Sequence, residues 1–203
     1  MVSSYLCKKN MKIRNAEPFD APFLAKCVMA GMHLFDFEEE TPDNGELYNR
    51  LTECERRDDL LYTYKNSRVA EVDGVVVGSL LSYPGDIYKE LRHRTFIELW
   101  PDMMALDAES EQETCPGEYY LDSLAVLPSF RGRGVGRALI QDSIQRGIGL
   151  GYNKITLVVD SGMPHLMGLY KSLGFDIVGH CHAFGVDFQK MEYRINEVHG
   201  IAY

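Results

Sequence analysis

Nowhere in the 203 residues does an apolar run approach the ~20 positions of a membrane-spanning helix, so no segment is expected to cross a bilayer. The first ten residues, MVSSYLCKKN, lack the apolar stretch of a signal peptide, which argues against export. Basic residues are in deficit: 21 Lys and Arg stand against 30 Asp and Glu, a formal charge of −9. That balance argues against nonspecific nucleic-acid or anionic-membrane binding, which needs basic patches, and an acidic surface suits a cationic substrate instead. Cysteines are few. The five (Cys7, Cys27, Cys54, Cys115, Cys181) are scattered, odd in number and never spaced CxxC. Neither a disulfide framework nor a structural zinc is expected, and a reducing cytoplasm is the natural setting. Internal repeats and low-complexity tracts are missing too, and 45% hydrophobic with 25% charged residues suits one globular domain with its own core.

What is present is a regular alternation of elements. Residues 1–10 read as an appendage, followed by a short strand at 11–16. Asp20 suits the N-cap of a helix that carries Phe23, Leu24, Cys27, Val28 and Met32 on one side. Residues 35–46, FDFEEETPDNGE, place four acids before Pro42 and read as loop. A mostly polar helix at about 47–57 is expected at the surface. Two β-rich runs, 68–72 and 75–83, joined by Asp73-Gly74, predict a hairpin with a type I′ turn. A helix is expected at 87–100, and acidic 107–114 reads as a mobile loop. Together 87–115 form an insertion before the central strand, either a candidate substrate-side lid or a variable surface excursion.

The central strand is expected at about 118–127, with apolar residues on both faces, as for a strand covered on both sides. The helix at 134–150 lines up Val135, Leu139, Ile144 and Ile148, and the β-branched run 154–159 predicts another buried strand. Pro164 fits the first turn of a helix that buries Leu166, Leu169 and Leu173 and stops at Gly174. Strands at 175–181 and 188–195 complete a sheet before a tail at 196–203. The order β-α-α-β-β-α-β-α-β-α-β-β describes a single mixed α/β domain over 11–195.

Most of the chemistry lies in 119–150: strand, Arg/Gly loop, helix. Free N–H groups and the positive dipole end of a helix make an anion site. The glycines let backbone approach the anion, and Arg131, Arg133 and Arg137 add charge. No Gly-Lys-Ser/Thr closes the run, which excludes a Walker A loop. A dinucleotide fingerprint would gain from Asp160 at the end of the next strand. However, the step at 127–130 makes the turn too long, and Arg137 or Leu139 stands where its third glycine belongs.

Over this loop and the segments C-terminal to it, the sequence resembles the GCN5-related N-acetyltransferase (GNAT) family. Arg131, Gly134 and Gly136 match the family's coenzyme A signature Arg/Gln-x-x-Gly-x-Gly/Ala, and Leu124 to Pro128 match its approach, Leu-Ala-Val-x-Pro. Leu169, Tyr170, Gly174 and Phe175 match Leu-Tyr-x-x-x-Gly-Phe. The likeness covers about 117–195, is looser over 11–85, and leaves out 87–115. Met163 and Leu166 replace an asparagine and an alanine that many members carry. The resemblance implies a mixed, mostly antiparallel sheet flanked by helices, with splayed central strands. It also implies acetyl-CoA as co-substrate without a metal, and direct attack by a primary amine in a ternary complex. Leu124, Ala125 and Val126 would bind pantetheine through backbone, and Arg131, Gly132, Arg133, Gly134, Val135, Gly136 and Arg137 would hold the pyrophosphate. A backbone N–H near Leu124 would stabilise the oxyanion. Many relatives are dimers, so a homodimer is compatible with the resemblance.

Such chemistry needs a base for the protonated amine and an acid for the departing thiolate. By resemblance Tyr170 is the acid, core packing being its alternative role. Asp122 is the candidate base, since period two puts it on a strand face with Tyr120 and Leu124; its alternative role is to order the strand or bind the substrate's charge. Glu118, one step further away, is the reserve and could act through water. Acids at 38–40 and 107–113 favour a cationic small molecule, such as a polyamine or amino sugar. A peptide acceptor (protein N-terminus or lysine) and a non-catalytic acyl-CoA sensor are the alternatives. His165 reads as a surface or capping residue, and His180 and His182 lack the further ligands that zinc requires.

Overall fold

The computed structural model describes residues 10–34, 37, 45–101 and 111–195. The appendage at 1–9, the acids at 38–40, the insertion stretch 102–110 and the tail at 196–203 lie outside the described residues. The elements are β1 (Met11–Asn15), α1 (Ala21–Gly31), α2 (Gly45–Glu55), β2 (Ser67–Val72), β3 (Val75–Pro84) and α3 (Tyr88–Leu99). They continue with β4 (Tyr119–Val126), α4 (Val135–Gly149), β5 (Lys154–Asp160), α5 (Pro164–Lys171), β6 (Phe175–Ala183) and β7 (Val186–Arg194). The strands form one sheet in the order β1-β2-β3-β4-β5-β7-β6. Its neighbours are antiparallel apart from β4 and β5, whose parallel pairing requires the crossover that α4 provides. No described helix is long and apolar enough to cross a membrane.

Local chemistry explains several joints. Asp73 and Gly74 both take positive φ (51° and 82°), as a type I′ hairpin turn demands. Asp20 stands at the start of α1, yet its side chain does not cap that helix. Its carboxylate instead accepts from Arg14 at 2.7 and 3.0 Å and from the Glu17 N–H at 2.8 Å, fastening β1 to the turn before α1. At Gly85 a Cβ would meet the Cys115 carbonyl oxygen at 2.1 Å, so only glycine lets the two ends of the insertion come together.

The sheet is covered on both faces, which explains the apolar residues on both sides of β4. One core joins Tyr119, Leu121, Ile155 and Leu157 to Val135, Leu139, Ile140 and Ile144 of α4. The other joins Tyr83 and Tyr120 to Met29 of α1, Leu51 of α2, and Tyr88 and Leu99 of α3. Helix α2 departs from its expected surface position: Leu51, Cys54 and Glu55 are all buried. The reason is the insertion, whose helix α3 packs against α2 and encloses its inner side. Residues 111–114 of the acidic stretch are likewise fastened rather than loose. The Glu111 N–H donates to the His182 carbonyl at 3.0 Å, and the His182 N–H donates to the Glu111 carboxylate at 2.7 Å. The Phe96 ring of α3 stacks on Phe184, in the β6–β7 turn, at 5.4 Å.

Candidate active site

Strands β4 and β5 pair only at Tyr119–Ile155 and Tyr120–Thr156. Beyond those pairs β4 stays bonded to β3 as far as Val126, and β5 stays bonded to β7 as far as Asp160. Two strand edges therefore face each other without pairing, and Leu124, Ala125 and Val126 lie on one of them. Backbone N–H and C=O groups inside a sheet require partners, so this edge fits an extended ligand that bonds like an added strand.

A bulge sits where the strands part. Leu80 pairs with Leu124 and Ser82 with Leu121, so Asp122 and Ser123 both stand opposite Leu81. The bulge breaks the period-two alternation. Asp122 keeps the face of Tyr120, but Leu124 packs with the α4-side core on the opposite face. The expected shared face of Asp122 and Leu124 is therefore corrected, because one extra residue re-aims every later side chain of the strand. Ser123 takes the α1 side with Asp122, close against Gly31.

At the exit of β4, a short 3-10 turn over Pro128–Phe130 leads into the loop. Gly132 and Gly134 have φ of 71° and 86°, and α4 starts immediately after Gly134. A Cβ on either glycine would touch nothing within 4 Å, so the requirement is conformational and their outer side is open. Gly136 lacks this constraint: its Cβ would make ordinary contact with Leu124 at 3.7 Å. Arg131 donates to the Val126 carbonyl at 3.1 Å, Arg137 to the Ser172 hydroxyl at 2.7 Å, and Arg133 lies over the Phe130 ring at 5.2 Å. Among the described residues none of the three pairs with a carboxylate. Three held but uncompensated guanidinium groups beside a helix N-terminus suit a phosphate-bearing ligand.

The two candidate proton carriers lie on opposite faces of the sheet, Asp122 on the α1 side and Tyr170 on the α4 side. Asp122 accepts from the Tyr83 hydroxyl at 2.5 Å and from Ser123 Oγ at 2.9 Å. Burial pushes its carboxyl up, the two donors pull it part of the way back, and it ends above its ordinary value. Tyr170 packs edge-on against Phe175 at 5.8 Å, and burial pushes its hydroxyl up to about 12. That hydroxyl stays protonated at neutral pH, and it has no hydrogen-bond partner among the described residues. Glu118 is committed elsewhere. It takes Lys190 Nζ at 2.9 and 3.0 Å, together with Thr114, Thr156 and the Cys115 N–H. Burial pushes Glu118 up, but Lys190 and these donors outweigh it and hold the group below its ordinary value.

Three groups near Asp122 escaped the sequence reading. Tyr83 is one, and nothing local distinguishes it from a core tyrosine. Glu113 is another: it accepts from the Tyr88 hydroxyl at 2.9 Å, and burial with the nearby Asp122 charge pushes it up to about 7. The third is Glu55, fully enclosed and pushed up to about 8 by burial and by Asp122. Glu55 did carry a signal, since it continues the stripe Leu47–Leu51–Glu55 at helical spacing.

Comparison with known proteins agrees with this geometry. The family described as "Acetyltransferase (GNAT) family" matches residues 30–175. A structure described only as an acetyltransferase is 27% identical, covering 91% of this chain and 100% of its own, with a TM-score of 0.70. An N-acetyltransferase from Staphylococcus aureus Mu50 is 21% identical, covering 89% and 99%, with a TM-score of 0.74. The yncA protein of Salmonella typhimurium, solved with its cofactor acetyl-CoA, is 19% identical, covering 96% and 99%, with a TM-score of 0.58. These last two structures speak to fold alone. An uncharacterized protein of Mycobacterium leprae, ML0378, is 38% identical over 66 residues, 32% of this chain and 18% of its own length. With the family's pattern spanning most of the chain and the sheet opened between β4 and β5, the protein belongs to the GNAT family of acetyltransferases.

Proposed function

We propose that the protein transfers an acetyl group from acetyl-CoA to a primary amine on a cationic small molecule, by direct attack in a ternary complex. The observation that supports this reading is the unpaired stretch of β4 and β5, with Asp122 in the bulge where the two strands part. The thioester supplies an activated acyl carbon and a thiolate leaving group. Asp122 takes the proton from the incoming ammonium, which frees the nitrogen lone pair for attack. As the new C–N bond forms and the C–S bond breaks, Tyr170 gives its hydroxyl proton to the sulfur; the nitrogen then loses its second proton to solvent, from which Tyr170 is reprotonated. A backbone N–H near Leu124 would hold the charge developing on the acyl oxygen. The loop 131–137 would bind the pyrophosphate, with Gly132 and Gly134 allowing backbone approach. Asp122 is the better base than Glu118 because Glu118 already neutralises Lys190.

The test is thiol release from acetyl-CoA across a panel of mono-, di- and polyamines, amino sugars and peptides. Release with small cationic amines and not with peptides is the expected outcome. Tight acetyl-CoA binding without release for any acceptor would sink the reading and leave a binding module.

A further inference from the structure

The sheet consists of two halves, β1–β4 and β5–β7, joined through only two residue pairs, Tyr119–Ile155 and Tyr120–Thr156. Strands that diverge from so short a seam can hinge about it, and unpaired edges tend to find partners. The opening between them must therefore be held by something besides the ladder. On the α4 side that is apolar packing, with Tyr119 and Leu121 from one half against Ile155 and Leu157 from the other. Such packing is non-directional and does not by itself fix an angle.

The α1 side is held by directed bonds. Ile155 and Leu157 belong to the α4-side core and Val158 packs on the other, so Thr156 and Val158 lie on the α1 face. Lys190 of β7 stands opposite Val158, past the last β4–β5 pair and so beside the gap. Its ammonium meets both oxygens of Glu118, at 2.9 and 3.0 Å, and Glu118 precedes the first of those pairs. Thr156 of β5 donates to the same carboxylate at 3.2 Å. One carboxylate rooted on the first half therefore binds two strands of the second, at the seam itself. The Thr114 hydroxyl at 3.0 Å and the Cys115 N–H at 3.2 Å fix its orientation. With the Lys190 and Glu118 side chains only 21% and 10% exposed, solvent screens the pair little.

The segment between β3 and β4 starts and ends on the first half and is tied to the second as well. Glu111 exchanges hydrogen bonds with the His182 backbone, and Phe96 stacks on Phe184. These ties lie on the β6–β7 hairpin, away from the seam, so the ion pair is the contact placed to set the angle.

We infer that Glu118 and Lys190 are positioning residues, whose ion pair over the β4–β5 seam fixes how far the gap opens and so how well it fits an extended cofactor. The inference rests on the reading that acetyl-CoA lies in this gap. The pair acts through the angle between strands, not on a reacting atom. Without it the halves sample other openings, and apparent affinity falls with the fraction that stays competent.

The experiment measures acetyl-CoA affinity by calorimetry and urea unfolding on the same variants. Lys190→Met keeps the stem and removes the charge, and should weaken acetyl-CoA binding by about tenfold. Lys190→Arg, which keeps charge and reach, should stay within about twofold of wild type. Thr156→Val removes one donor at nearly constant shape and should cost about threefold. A pair that only stabilised the fold would lower the urea midpoint and leave affinity untouched, so unchanged affinity in Lys190→Met would overturn the inference. Lys190→Arg as weak as Lys190→Met would overturn it too. Should Lys190→Met not fold, Thr156→Val decides, and unchanged affinity there is the overturning result. Failure of the wild type to bind acetyl-CoA would instead sink the reading of the gap, and the inference with it.

Discussion

The two sides of the β4–β5 gap are built on different physical terms. On the α4 side, residues 131–134 form an exposed loop that leads into α4, and its function rests on backbone conformation and uncompensated positive charge. On the α1 side, the acids are enclosed, and their behaviour comes from burial, from one another and from tyrosine hydroxyls. An exposed site is screened by solvent and tolerates change in its neighbours, whereas an enclosed one is set by everything packed around it. The loop could serve any acyl-CoA protein, while the enclosed side is where this chain can be selective.

The largest expected effect separates the sides at the chemical step. Asp122→Asn should lower kcat by roughly 10²–10⁴-fold and remove the acidic limb of the pH–rate profile. In the wild type that limb should lie above the range of an ordinary aspartate, since Asp122 acts only when ionised and its proton leaves late. Tyr170→Phe should lower kcat by roughly 10²-fold with acetyl-CoA affinity unchanged. Full activity in either variant would return that residue to a structural role.

Next in size, Gly134→Val tests the loop alone. A β-branched residue at φ 86° is strained, and relaxing that strain moves the first N–H groups of α4. Acetyl-CoA affinity by calorimetry should fall by roughly 10–100-fold, the worth of one to two units of log K. Unchanged affinity would remove the loop from the phosphate site. A parallel shift in the acidic limb of the pH–rate profile would break the contrast between the two sides.

Tyr83→Phe should act only on the enclosed side. Its hydroxyl donates to the ionised form of Asp122, so losing it raises the carboxyl further. The acidic limb should move up by about one pH unit, with the rate on that limb falling by up to about tenfold and recovering as pH is raised. Loss without recovery at high pH would make Tyr83 a packing residue rather than one that positions and tunes Asp122.

The smallest expected effect is on stability. Glu55 is raised to about 8 in the folded protein, above its unfolded value, so between the two the folded state binds the extra proton. Stability must therefore fall as pH rises through that window, by about 1 kcal/mol per pH unit. Glu113 and Asp122, also raised, act in the same direction. Urea unfolding at pH 5, 6.5 and 8 should show the decline, with a flatter slope in Glu55→Gln. Identical slopes would mean that Glu55 is not enclosed as described.

The hairpin at Asp73-Gly74, the strand–loop–helix at 119–150 and the order of elements were legible in the sequence because each depends on neighbours within a few residues. The arginines and glycines of 131–137 were legible for the same reason. The α2 helix was misread as a surface element because its outward faces are polar and its cover, α3, comes from a segment far along the chain that no pattern in α2 announces. Period two predicted a shared face for Asp122 and Leu124, and the bulge opposite Leu81 undid it. Glu113 had no local mark at all, since an acid in an acidic stretch reads as solvated until Tyr88 is seen bonding to it.

By itself, then, the sequence determined the α/β element order, the left-handed glycines and the charge of the phosphate-type loop, because these depend on backbone sterics and local charge. Only the tertiary structure decided where β4 and β5 part, which face Asp122 takes, and that Glu55 and Glu113 come near Asp122. Burial and long-range pairing set those outcomes, and both are properties of segments that meet far apart along the chain.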